Sequence, residues 1–116
     1  MRPARPCWLF ATLIACASLW AQPPVQRASF DVKQQHIAKP APTVRVPQGG
    51  ILVLELRSDT ALDVHLHGYD LMLKLKAGTP GSLQLRAHTS GRFPVAAHGK
   101  GHHHGPALLY VEVTPQ

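Results

Sequence analysis

Cysteine is confined to Cys7 and Cys16, so the chain from residue 22 onward has no thiol for a disulfide, a metal or a nucleophile. Aromatic residues make up 6% of the chain. Beyond residue 22 they reduce to Phe30, Tyr69, Phe93 and Tyr110, and the basic residues are scattered. The chain therefore lacks both the stacking platform and the basic stripe of a nucleic-acid binder. It also lacks a Gly-x-Ser-x-Gly elbow, a Cys-x-x-Cys-His haem attachment and a His-Glu-x-x-His motif. Those gaps point to a binding module and not an enzyme. No window after residue 22 has helical periodicity, and 116 residues suffice for one small domain.

The only long apolar run is at the N-terminus. Arg2 and Arg5 precede Cys7-Trp8-Leu9-Phe10-Ala11-Thr12-Leu13-Ile14-Ala15 and then small residues, the three-part layout of a secretory signal. The run is too short for an ordinary transmembrane helix. Cleavage after Ala21 predicts a signal at 1–21, a flexible segment at 22–27 and a folded domain at 28–114. Leu13-Ile14-Ala15-Cys16 offers an alternative, a lipobox whose cysteine would be acylated. The expected location is periplasmic or secreted, with membrane attachment only if Cys16 carries lipid. After cleavage at Ala21, ten Lys and Arg remain against six Asp and Glu, a formal charge of +4 with histidines neutral.

What the remainder does contain is alternation. Pro23, Pro24, Pro40, Pro42 and Pro47 punctuate the first stretch, which reads as an edge strand and loop. Apolar residues then recur at every second position in Leu52, Leu54 and Leu56; Leu62, Val64 and Leu66; Leu71, Leu73 and Leu75; and Leu83, Leu85 and Ala87. Turn formers separate these runs, and a last strand is expected over Leu108 to Val113. The pattern predicts seven or eight short strands in two packed sheets.

Histidine is the residue in excess, with eight in the chain and seven of them between residues 65 and 104. Alternation sends Leu62, Val64 and Leu66 to the core and Asp63, His65 and His67 to the opposite face. His98 leads into the glycine-flanked run His102, His103 and His104. Converging neutral imidazoles are common ligands for divalent copper, zinc and nickel. With no thiolate or thioether in the cluster, Cu(II) or Zn(II) suits it better than Cu(I). The candidate ligands are His67, His98, His104, His65, His102 and His103. The competing reading makes His65 a surface strand residue and His102 to His104 a solvated loop tip. His36 and His88 read as structural or solvent-facing.

The chain resembles the small exported cupredoxin-like proteins over roughly residues 28 to 114. The resemblance rests on Val44-Arg45-Val46-Pro47-Gln48-Gly49-Gly50, on Asp63-Val64-His65-Leu66-His67-Gly68-Tyr69-Asp70, and on Gly91-Arg92-Phe93-Pro94-Val95-Ala96-Ala97-His98 with the loop and strand that follow. It implies an all-β, Greek-key β-sandwich. His67 before Gly68-Tyr69 would match the family's first ligand, and His98 with one of His102 to His104 would match those of the last loop. The sequence departs from the family where a blue-copper cysteine is expected, since Ala96-Ala97-His98 stands there and no Met follows. The resemblance is therefore to a variant branch without thiolate chemistry. Asp70 is expected either to support His67 or to cap a turn, Tyr69 to pack or to support His67, and Pro94 to stop pairing at a sheet edge. The implied role is metal buffering, delivery or tolerance, with copper the first candidate and zinc the second. The alternative is a metal-free accessory domain for a periplasmic or membrane metal-transport partner.

Overall fold

A strand that is apolar on one side only must cover that side, and several such strands do so by stacking two sheets face to face. The computed structural model describes residues 2–4, 17–18, 20, 22–98 and 104–116, and of His104 the backbone alone. Cys7, Cys16 and Ala21, on which cleavage and acylation depend, lie outside the described residues, as do His102 and His103. The strands are β1 (Val25–Val32), β2 (Thr43–Pro47), β3 (Ile51–Ser58), β4 (Leu62–Leu66), β5 (Leu71–Leu75), β6 (Gly81–Arg86), β7 (Gly91–His98) and β8 (His104–Thr114). One sheet has the order β1-β3-β6 and the other β2-β8-β7-β4-β5. The chain crosses repeatedly between them, giving the expected all-β sandwich at the upper of the two strand numbers.

Leu52, Leu54 and Leu56 of β3, Leu62, Val64 and Leu66 of β4, and Val95, Leu109, Val111 and Val113 of β7 and β8 fill the space between the sheets. Fully burying one such side chain contributes about 1.5–3 kcal/mol, so alternation over this many strands suffices to drive the stacking. The buried core cluster runs from Val32 to Val113, so residues 22–116 contain all of it. β1 and β2 both lie at sheet edges, in keeping with the proline-rich reading of that stretch.

Three local expectations need correction. β1 begins at Val25, inside the segment expected to be flexible, because Val25 to Val32 pair in parallel register with Ile51 to Ser58. β8 begins at His104 and not at Leu108, which takes His104 out of the loop and sets it opposite His98. Pro94 is not at a sheet edge: β7 lies between β8 and β4, and Pro94 pairs with Tyr110. Its carbonyl accepts the His67 N–H at 3.0 Å, just past the last β4 pair, Leu66 with Val95. The missing proline donor therefore points at the turn and interrupts no ladder between strands.

Candidate metal centre

The β4–β5 hairpin closes with the pair Leu66 and Leu71, leaving His67, Gly68, Tyr69 and Asp70 as its turn. Gly68 has φ +89, and a Cβ there would collide with the Phe93 ring. Glycine is thus required both by backbone conformation and by space. Tyr69 anchors the turn on one side: its hydroxyl donates to the Thr89 carbonyl at 2.7 Å and accepts the Thr89 N–H at 3.0 Å. The Tyr69 ring rests against His88 and Phe93, with centroids at 4.8 and 4.9 Å. His88 Nδ1 is satisfied by Thr89 Oγ1 at 2.7 Å. Tyr69 therefore clasps the 88–89 loop.

On the outward face of the five-stranded sheet, register fixes the neighbours. Lys74, Asp63 and His98 form one row across β5, β4 and β7, and the backbone of His104 on β8 continues it. Met72, His65 and Ala96 form the next row. His65 is the hub of this face. Its ring lies 4.4 Å from that of His67, edge-on at 72°, and 5.5 Å from that of His98. Its side chain is only 16% exposed, although it points away from the core. Ala96 opposite it is buried without belonging to the core cluster, so its small side chain sits beneath the outer layer of the same face.

The two nitrogens of His65 differ. Nε2 faces Asp70 Oδ1 across a long 3.4 Å contact, while Nδ1 is buried and has no hydrogen-bond partner among the described residues. A buried polar atom without a partner costs about 1–3 kcal/mol and calls for a specific explanation. With the proton on Nε2 toward the carboxylate, Nδ1 carries a lone pair shielded from water.

Several candidate residues fall differently from the expectation. Asp70, expected to support His67 or to cap a turn, approaches His65. His67 leaves the end of β4 next to Pro94, whereas the chain enters the 99–103 segment from His98, whose partner is Asp63 at the other end of β4. His65, a candidate ligand whose alternative was a surface strand residue, has its ring close to those of both. His102 and His103 lie outside the described residues, and His104 is placed by its backbone register alone. His36 sits in the tight 33–36 turn, where its backbone pairs with Lys33. Met72, expected only as a strand residue, and Ala96, expected only where the family has its cysteine, both lie in the row of His65. Alternation of Leu71, Leu73 and Leu75 already turned Met72 outward, but register alone sets it opposite His65.

No protein-family profile matches the chain, and no curated protein matches it. Solved structures do. A chain of a haem-copper terminal oxidase dimer is 23% identical over 77% of this chain, with a TM-score of 0.58. This protein spans 65% of the length of that oxidase chain. A copper-binding protein solved in its apo form is 12% identical, with 81% of this chain and 92% of that one covered and a TM-score of 0.60. The periplasmic domain of cytochrome oxidase subunit II, CoxB, from Bradyrhizobium japonicum is also 12% identical, over 78% and 84% of the two chains, with a TM-score of 0.61. Likeness at this identity establishes the fold: the chain is a cupredoxin-like β-sandwich.

Proposed function

We propose that this protein is an exported metal-binding module, holding Cu(II) or another divalent ion through histidines for buffering, delivery or tolerance outside the cytoplasm. The observation that carries the reading is His65, with Nδ1 buried and unpartnered among the described residues and the rings of His67 and His98 at 4.4 and 5.5 Å from its own. The donor set fits an imidazole-bound ion and not a thiolate-bound one, since no cysteine follows residue 16. Asp70 on Nε2 would hold the tautomer that leaves Nδ1 to the metal, and Asp63 beside His98 would add negative charge near the cation. Copper is favoured as the ion by the copper-binding protein and the copper oxidases that share the fold. The CoxB periplasmic domain and the apparent signal at 1–21 support export.

Among the described residues, no three His, Cys, Asp or Glu side chains already lie close enough together to hold an ion. The second reading is a metal-free accessory domain presenting its surface to a metal-transport partner. Electron paramagnetic resonance of residues 22–116 with one equivalent of Cu(II) separates the two. The metal module gives a single nitrogen-coordinated spectrum that changes in both His65→Ala and His98→Ala. A heterogeneous spectrum indifferent to both substitutions, with thermal stability unmoved by metal, overturns the metal reading in favour of the accessory domain.

A further inference from the structure

The outward face of β5 brings a chemically different donor to the histidines. Met72 lies directly opposite His65 in the β4–β5 register. Leu71, Leu73 and Leu75 pack on the core, so Met72 and Lys74 must face outward with His65 and Asp63. Directly opposed residues on one face of an antiparallel pair have Cβ atoms about 4.5–5.5 Å apart, and an unbranched Met side chain adapts readily to reach across such a gap. Met72 is 55% exposed, one of few large apolar side chains left in solvent among the described residues. On the outward face of an edge strand this thioether lies on the side of the sheet away from the core.

We propose that Met72 Sδ is a ligand of the same centre and gives it affinity for Cu(I), alongside the divalent binding that imidazoles supply. The inference rests on the metal-binding reading of His65 made above. Thioether sulfur is a soft donor that selects monovalent copper, whereas imidazole serves either oxidation state. A face with His65 and Met72 opposite each other and His67 and His98 flanking therefore offers a mixed nitrogen and sulfur set, without a cysteine. The absence of a thioether from the histidine-rich segments had pointed away from Cu(I), and cross-strand register restores one.

The test uses residues 22–116, which contain all eight strands and a single sulfur atom, that of Met72. Cu(I) is titrated anaerobically in competition with bicinchoninate, and X-ray absorption of the Cu(I)-loaded protein reports sulfur in the coordination shell. Because only one sulfur is present, any sulfur scattering belongs to Met72. The expected result is a sulfur neighbour in the native protein that is lost in Met72→Leu. Cu(I) affinity should fall roughly tenfold or more in that variant, with Cu(II) affinity nearly unchanged. Met72→Leu keeps size and exposure, so the fold is retained and circular dichroism verifies it. A nitrogen-only Cu(I) shell with equal affinity in the native and Met72→Leu proteins overturns the role of Met72 and leaves the histidine site standing. Failure of either copper ion to bind in a His65-dependent way overturns both.

Discussion

His88 and His65 show what separates a structural imidazole from an available one. His88 lies in the loop before β7, its Nδ1 bonded to Thr89 Oγ1 and its ring tilted against that of Tyr69, whose hydroxyl closes twice on Thr89. Its Nδ1 is satisfied locally. His65 stands in mid-strand on an outward face, with Nδ1 buried and unpartnered and two further imidazoles around it. The two environments are separated by a single turn, His67 to Asp70, which Tyr69 ties to the His88 side while Asp70 leans to the His65 side. Exposure already sets the two histidines apart, His88 being exposed and His65 half-buried, and the hydrogen-bond account adds that His65 Nδ1 is buried without a partner among the described residues while His88 Nδ1 is paired.

Substitutions around that turn sharpen the contrast. The largest effect is expected from Gly68→Ala, which adds a positive-φ penalty to a collision with Phe93 and should lower stability by about 2–4 kcal/mol in chemical denaturation. Because both regions hang on this turn, copper affinity should fall with it. Next comes the paired test of the histidines. His65→Ala should weaken Cu(II) roughly 100-fold by isothermal competition, whereas His88→Ala should leave it within about twofold. Equal losses in the two variants would erase the distinction drawn here.

Smaller still is Tyr69→Phe, which removes both bonds to Thr89 and should cost about 1 kcal/mol of stability with copper binding retained. The smallest effect belongs to Asp70→Asn. Its carboxylate is fully exposed and its contact with His65 is long, so the loss of Cu(II) affinity should be less than about threefold. A much larger loss would show that the carboxylate orients His65 more firmly than a 3.4 Å contact implies.

Much of the fold was legible in the chain. The alternations of Leu52 to Leu56, Leu62 to Leu66 and Leu83 to Leu85 correspond to β3, β4 and β6 with their apolar members buried, because a period of two leaves a strand little choice of face. The outward turn of Asp63 and His65 followed from the same rule. Strand limits were less legible. β8 reaches back through Pro106 to His104 because it pairs with β7 as far as His98, and β1 starts at Val25 because Ile51, well along the chain, pairs with it. Pro94 misled for the same reason: its effect depends on what stands beside it, and its neighbour there is a turn and not a strand.

The sequence by itself determined the number of sheets, the faces of the strands, the absence of thiolate chemistry from residue 22 onward and the concentration of imidazole between residues 65 and 104. These follow from local periodicity and from composition, neither of which needs a partner strand. Only the tertiary structure decided that His65 and not His67 is the hub, that Asp70 serves His65, and that Met72 lies across from them. Each of these depends on register between strands, which is set by packing of the whole sandwich and is not written in the period of any one strand.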